Sequence, residues 1–219
     1  MKQTILLVAA VLFASPLLRA QTNSSQRAAS PSAIRNNDSL PRDAHEGVTV
    51  TADSYADERR AKEKFGKANP VAVGILPVEV SLRNDTTDAV RIDMSTVQLT
   101  VHFSNGRLQD LDWLDVRDVA SAVAHPKGPP APRVRRFPIG VPSATDSKTD
   151  KMAEILKPLA LDADVIPPLG MIHGFLFFDL NREMDLAEKA SVYIPNLKRI
   201  TAKKPLMFFE VQLAGNGPK

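Results

Sequence analysis

The sequence predicts a mainly β fold: an antiparallel β-sandwich of about seven strands with a helical and proline-rich insertion at about 104–169. Three observations support this prediction. Apolar and polar residues alternate over several short segments, as they do in strands that bury one face. Residues that favour turns, mainly Asn, Asp, Ser and Gly, separate these segments. Strands and helices do not alternate regularly along the chain, as a parallel sheet would require.

The first twenty residues predict a cleavable secretory signal peptide. Lys2 supplies a positive start, Ile5–Phe13 is an apolar run, and the small residue Ala20 precedes the expected cleavage site. The run is shorter than the roughly 20 apolar residues of a membrane-spanning helix, and no cysteine follows it to carry a lipid anchor. We therefore expect a periplasmic or extracellular protein without a transmembrane segment in the mature chain.

The composition excludes several classes of function. The chain has no cysteine, which excludes disulfides, thiol catalysis, iron–sulfur clusters and zinc sites built from thiolates. Lys and Arg number 28 against 25 Asp and Glu, and a net charge of +3 is too small to indicate nucleic-acid binding. No motif predicts a cofactor. About 200 mature residues are enough for one sizeable core.

Residues 21–46 are predicted to be a disordered polar tether. They are rich in Ser, Asn, Gln, Ala and Arg, and they contain too few large apolar residues to offset the entropy of ordering. The alternative is a spacer that holds the domain away from a membrane or wall. The folded domain is expected to span 47–214, followed by a tail at 215–219.

The first half of the domain predicts four strands and one helix. Gly47–Thr51 alternates like a strand, and the charged segment Ala56–Lys67 predicts a surface helix that ends at a glycine. Pro77–Arg83 is the clearest strand, since its valines and leucine fall on one face and its polar residues on the other. Val90–Met94 and Val97–Phe103 predict two further strands with short connections.

The insertion changes the periodicity. Asp110–Ala124 has apolar residues at near-helical spacing and predicts a helix. His125–Pro142 is basic and rich in proline, which favours an extended loop. A second helix is expected with Thr149 or Asp150 as its cap, ending or kinking at Pro158.

Strands return in the last fifty residues. Gly170–Leu180 is apolar on both faces, so we expect it to be central in its sheet. Ala190–Ile194 is a shorter strand, and Leu206–Leu213 is the last, with Met207 on its apolar face. About seven short strands with turns between them favour a sandwich of the immunoglobulin-like type.

Two segments carry a resemblance to a known group. Pro77–Thr86 reads PVEVSLRNDT, and Pro167–Asp179 reads PPLGMIHGFLFFD. Together they resemble the immunoglobulin-like domains of small exported bacterial proteins of uncharacterised function. The resemblance implies a sandwich fold and an extracytoplasmic location, and it implies no catalytic residues.

The candidate metal and catalytic residues form no recognised motif. The densest acidic group comprises Asp110, Asp112, Asp115 and Asp118, and it is read as a solvated helix face in preference to a cation site. The four histidines lack the spacing of a zinc site. They are His45, His102, His125 and His173.

The basic, proline-rich loop is the predicted interaction site. Lys127, Arg133, Arg135 and Arg136 flank prolines that limit the loop's conformations, and a preformed extended segment loses less entropy on binding. The expected partner is an envelope protein or an acidic polymer.

Two functions remain open from sequence. The first is an exported, non-enzymatic interaction or structural module of the cell envelope. The alternative is an envelope-directed hydrolase whose site combines the acidic helix with His102 or His173. A polar cleft that gathers Asp112, Asp115 and a histidine would favour the hydrolase.

Overall fold

The computed structural model describes residues 40–127 and 146–214. Of these residues, 38% are in strands and 29% in helices. The strands are β1 (Arg42–His45), β2 (Val48–Ser54), β3 (Ile75–Asn84), β4 (Val90–Ile92), β5 (Gln98–His102), β6 (Leu108–Asp112), β7 (Val165–Ile166), β8 (Met171–Asp179), β9 (Ala190–Ile194), β10 (Leu197–Arg199) and β11 (Phe209–Gln212). The α-helices are α1 (Glu58–Phe65), α2 (Val116–Ala124) and α3 (Ser147–Leu156). Short 3₁₀ helices occupy Gly66–Ala68, Val71–Val73, Met94–Thr96, Lys157–Leu159 and Met184–Lys189.

All pairing between these strands is antiparallel, which confirms the predicted mainly β, antiparallel character. The first sheet has the order β1-β2-β3-β8, the second has β11-β9-β5-β6, and a small sheet has β10-β4-β7. The described residues thus form eleven strands where about seven were predicted. The strands that the sequence analysis missed are β1, β6, β7 and β10, each of five residues or fewer.

The inward residues of all three sheets form one apolar cluster, which we call the sheet core. Strand β3 contributes Val78, Val80 and Leu82, which are buried, while Arg83 on the opposite face is exposed. This is the alternation that predicted the strand. The register of β3 with β8 pairs Leu82 with Ile172, which also packs against the sheet core. Both strands therefore turn the same face inward.

Strand β8 packs on both of its faces. Leu176 and Phe178 belong to the sheet core. Phe175 and Phe177 point the other way, into a second cluster that contains residues of the three helices, the helix core. The rings of Phe175 and Phe65 meet edge to face with their centroids 4.9 Å apart. A layer of helices therefore explains why this strand is apolar on both faces.

The prediction that β8 is central in its sheet is wrong, because β8 is the last strand in its sheet order. Two irregular segments cover its outer edge. The backbone N–H of Leu114 donates to Phe177 O at 2.7 Å, and that of Leu161 donates to Phe175 O at 3.0 Å. A Cβ at Gly174 would lie 2.6 Å from the Leu161 backbone nitrogen, so the second segment can approach only because this residue is glycine.

The predicted helix over Asp110–Ala124 is wrong in its first part. Leu108–Asp112 is strand β6, which pairs with β5 across the turn that contains Gly106. Helix α2 begins only at Val116, where the Asp115 side chain accepts a hydrogen bond from the Arg117 N–H at 2.7 Å. Pairing with a neighbouring strand overrides the local spacing of apolar residues, and the predicted insertion therefore does not begin at 104.

The other two helices lie close to their predicted positions. Helix α1 falls inside the predicted range 56–67 and ends at Gly66, whose φ of 58° is in the left-handed half of backbone space. Helix α3 begins at Ser147 with Asp146 as its cap, so the predicted caps Thr149 and Asp150 are wrong. Asp146, three residues ahead of Thr149, caps equally well, and the helix therefore begins a turn earlier than the apolar pattern at Met152 indicates.

The predicted tether at 21–46 overlaps the described residues only at its end, and there the prediction is wrong. Arg42–His45 forms strand β1, which pairs with β2 through a turn at Glu46 and Gly47. This strand has no fully buried side chain, so it lacks the apolar alternation that identifies strands. The predicted signal peptide and tail lie outside the described residues, among which no helix is long and apolar enough to cross a membrane.

Candidate interaction site

The predicted binding loop falls largely outside the described residues. Lys127 is exposed shortly after the end of α2, and Arg133, Arg135 and Arg136 lie in the undescribed segment. Two residues on either side of this segment contact each other: His125 Nε2 forms a hydrogen bond with Asp146 Oδ2. This bond, together with the Lys148 N–H, lowers the pKa of Asp146 to about 2. The base of the predicted loop is therefore closed by a polar pair.

The acidic group does not converge on one point. Asp110 accepts a hydrogen bond from Thr100 Oγ1 at 2.7 Å, and Asp112 accepts one from Gln98 at 3.2 Å. Asp115 caps α2. Within residues 40–127 and 146–214, no group of three or more His, Asp and Glu side chains could hold a metal ion.

A serine, a histidine and a glutamate do meet on the outer face of the second sheet. Ser191 Oγ donates to Glu210 Oε1 at 2.7 Å, and His102 Nε2 lies 3.2 Å from Ser191 Oγ and 3.6 Å from Glu210 Oε1. In a catalytic triad the nucleophile and the carboxylate bind different nitrogens of the histidine. Here both contact Nε2, and Ser191 is 0% exposed. The arrangement links three neighbouring strands and leaves no hydroxyl open to a substrate.

The hydrolase hypothesis needed a histidine beside the acidic residues. His102 pairs with Leu108 at one end of the β5–β6 ladder, whereas Asp112 pairs with Gln98 at the other end. His173 is exposed on β8, where it pairs with Ser81. The structure does not bring Asp112, Asp115 and either histidine together.

Four loops meet at one end of the sheets and form a site that no sequence pattern predicted. These loops are Glu46–Gly47, 84–89, 167–170 and 199–208, and we call their meeting point, with the adjoining Met171, the four-loop end. Loop 167–170 is joined to loop 84–89 by a hydrogen bond from the Leu169 N–H to Thr86 O at 2.9 Å. Loop 199–208 is joined to it by a bond from the Ile200 N–H to Ala89 O, also 2.9 Å.

Asn84 is the centre of this arrangement. Its side chain is 0% exposed, and its amide nitrogen donates to Asp88 O at 2.8 Å and to Pro167 O at 3.1 Å. Its amide oxygen accepts from the Thr86 N–H and from Thr86 Oγ1. All four hydrogen-bonding positions of a buried amide are therefore used, which fixes both loops.

Charged side chains fix the other two loops. Arg199 donates to Thr86 Oγ1 at 2.7 Å and to Glu46 O at 2.5 Å. The Glu46 carboxylate accepts from the Met207 N–H at 2.7 Å, and this bond, followed by one from Lys204, lowers the pKa of Glu46. Asp88 accepts from two backbone N–H groups of residues 201–202, which lower the pKa of its carboxyl group. Both carboxylates thus stay charged and turn toward the loop backbone.

The four-loop end exposes apolar side chains. Of the seven large apolar residues that are exposed in the described part of the chain, five lie here. They are Leu169, Met171, Ile200, Met207 and Phe208. Leu169 is the most exposed at 71%. Single exposed apolar residues are normal, but a group on adjoining loops is typical of an interaction surface.

The backbone of this region is also unusual. Five non-glycine residues among those that the structure describes have positive φ, and three of them are here: Glu46 at 49°, Leu169 at 50° and Lys203 at 52°. A leucine in this conformation is unfavourable by roughly 1–2 kcal/mol. Such residues persist where their surroundings hold them, and they cluster at functional sites.

The signals for this site were present but pointed to packing. Asn84 begins a segment that predicts a turn, and the Pro and Gly residues at 167–170 lead into the predicted strand Gly170–Leu180. Met207 was predicted to face the core with the rest of the last strand, and this is wrong, since it is 62% exposed. Strand β11 begins only at Phe209, and Met207 belongs to the loop that Glu46 holds.

Comparison of the chain with protein-family models, with curated proteins and with solved structures finds no match.

Proposed function

We propose that this protein is an exported, non-enzymatic interaction module of the cell envelope, with an immunoglobulin-like sandwich as its scaffold. It binds a protein partner through the four-loop end. The observation that carries the proposal is the group of five exposed apolar side chains on loops that a buried polar network holds in place. The predicted signal peptide and the antiparallel sheets support the location and the scaffold.

The rigidity of these loops favours binding. A surface that is already ordered loses less conformational entropy when a partner docks on it. Large apolar and aromatic side chains at the centre of an interface contribute most of its affinity. Leu169, Met207 and Phe208 are suited to that role because their backbone is held by Thr86, Glu46 and His45 respectively.

The charges around the patch indicate the kind of partner. Lys198 and Lys203 are exposed beside the apolar residues, while Lys204 pairs with Glu46. The nearby carboxylates of Glu46 and Asp88 are turned toward backbone N–H groups. The outward-facing charge is therefore positive, which complements an acidic surface with an apolar centre.

The test is affinity capture from periplasmic and outer-envelope fractions with the mature protein as bait. The variant Leu169→Asn, Met207→Ser should lose the captured partner, since it removes two anchors and Asn tolerates positive φ. The matched control is Leu108→Asn, Ile155→Ser, which alters the two large exposed apolar residues that the described ranges contain outside the four-loop end. We expect the control to retain the partner.

Two results would contradict this proposal. One is equal capture by both variants. The other is binding to vesicles of anionic lipid that is lost in the test variant while no protein is captured. Replacing Lys127, Arg133, Arg135 and Arg136 by Ser tests the predicted loop separately, because a role for that loop requires weaker capture with an intact four-loop end.

Export has its own test. Amino-terminal sequencing of the protein from the periplasm or medium should begin near Gln21. A cytoplasmic protein that retains Met1 would overturn the proposed location without touching the binding surface.

A further inference from the structure

A cavity of about 350 Å³ lies where α2 and α3 meet the outer edge of β8. The segments that cover this edge form its walls: one carries Trp113 and Leu114, and the other carries Ala160 and Leu161. The volume falls at the lower end of the range for small-molecule sites, about 300–1,000 Å³. The four-loop end shares no lining residue with it.

The inner wall of the cavity is apolar. Phe175 and Phe177 line it, and Leu114 and Leu161 flank them. The Trp113 indole is held at the side, since its Nε1 donates to Met94 O at 2.8 Å. Aromatic and branched aliphatic side chains of this kind accept an apolar group of a ligand.

The rim of the cavity carries charges of both signs. Arg117 and Lys157 supply two cations, and Asp115 and Asp162 supply two carboxylates. All four residues are exposed. The Arg117 side chain also lies 3.4 Å from Asp150 Oδ1, which orients it. A purely anionic ligand would meet two carboxylates here, and a purely cationic ligand would meet two cations.

We infer that this cavity binds a small zwitterion with an apolar side chain, the chemistry of a free amino acid such as leucine. The carboxylate of the ligand is complementary to Arg117 and Lys157, and its ammonium group to Asp162. Its side chain is complementary to Trp113 and the apolar inner wall. The rim and the wall thus select different parts of one molecule.

Trp113 is the only tryptophan of the chain, so tryptophan fluorescence reports directly on this site. Titration of the mature protein with leucine should give a saturable change in tryptophan fluorescence, matched by heat in isothermal titration calorimetry. Glycine lacks the side chain, octanoate lacks the ammonium group, and N-acetyl-leucinamide lacks both charges. Each should bind roughly tenfold more weakly or worse.

Variants of the rim separate recognition from folding. Lys157→Gln and Asp162→Asn should each weaken leucine binding roughly tenfold. Lys151→Gln, an exposed change on α3 and outside the cavity, should leave leucine binding unaltered. Thermal melts should be unchanged in all three, since the side chains are exposed. The inference is wrong if leucine gives no saturable signal, if octanoate or N-acetyl-leucinamide binds as tightly, or if neither rim variant weakens binding.

Discussion

At its first residue, Met171, strand β8 carries an exposed apolar side chain, whereas Phe175 and Phe177 further along the same face are buried beneath the helices. The two ends of this face are also stabilised differently. Near Met171 the loops are held by the buried amide of Asn84 and by charged side chains. Near Phe177 the helices are held by aromatic packing.

This difference explains why apolar side chains stay exposed at the four-loop end. Where packing stabilises a region, its apolar side chains are buried in the core and do not form an exposed surface for a protein partner. Where a satisfied polar network holds the backbone, the apolar side chains remain available outside. The four-loop end is of the second kind, which is why we assign the interaction to it. The predictions below test this contrast.

The largest expected effect is on the helix-covered end. Phe177→Ala removes an aromatic ring that is 1% exposed and leaves a void in the helix core, so the free energy of unfolding should fall by about 3–5 kcal/mol. Chemical denaturation measures this. Met171→Ala, on the same face of the same strand, should change stability by less than about 0.5 kcal/mol. Comparable losses of stability from the two variants would contradict the proposed difference between the two ends of this face of β8.

The next effect is on the polar network. Asn84→Ala removes a fully buried amide that bonds Asp88 O, Pro167 O and Thr86, so stability should fall by about 2–3 kcal/mol. Amide hydrogen exchange should also quicken in residues 167–170 and 199–202, while the helix core stays protected. Asn105→Ala, at an exposed turn, is the matched control and should have little effect. Uniform loss of protection would show that the two ends do not act separately.

A smaller effect of opposite sign is expected at Leu169. Leu169→Gly relieves a positive φ of 50°, so stability should rise by up to about 1 kcal/mol while partner binding weakens. Leu108→Gly, in strand β6 where φ is not positive, should instead destabilise the protein slightly. Thermal melts measure the change in stability, and the capture assay measures the change in partner binding. A stabilised variant that keeps full binding would exclude Leu169 from the interface.

The smallest effect concerns the pair that closes the base of the predicted loop. The pKa of Asp146 in the folded protein is lowered to about 2, chiefly by its hydrogen bond with His125. A lowered pKa means that the charged carboxylate stabilises the fold above the ordinary pKa of about 3.9. This contribution is lost as the pH falls from about 4 through about 2.

Asp146→Asn keeps a residue that caps helices but removes the charge. Its melting temperature should therefore lie below that of the wild type at neutral pH and approach it as the pH falls toward about 2. A constant difference across this range would mean that the charge of Asp146 plays no part. Nuclear magnetic resonance titration of the carboxyl group checks the pKa itself.

Local patterns were sufficient for much of the fold. Strand β9 occupies the predicted range Ala190–Ile194, and β3 buries the three residues predicted for its inner face. The β3 prediction depends on alternation, which is a property of neighbouring residues. Strand β6 could not be predicted in the same way, since Asp110 and Asp112 make its exposed face look like the polar side of a helix. Its pairing with β5 decided the outcome.

The candidate site depended on contacts that no local pattern contains. Glu46 and Met207 are 161 residues apart in sequence, and Asn84 and Pro167 are 83 apart. Among these loops the sequence predicts a turn at 84–88, where Asn and Asp favour one. Glu46 falls in the predicted tether and Met207 in the predicted last strand, so neither was placed in a loop of the site.

By itself, then, the sequence determined a cysteine-free, mainly β domain with a predicted signal peptide, and it located most of the strands. Only the tertiary structure decided that four loops meet, that β8 is covered by helices, and that Leu169 and Met207 face outward. The physical reason is the range of the interactions. Alternation and turn preference act between neighbours in the chain, whereas burial and hydrogen bonding depend on which distant segments fold against each other.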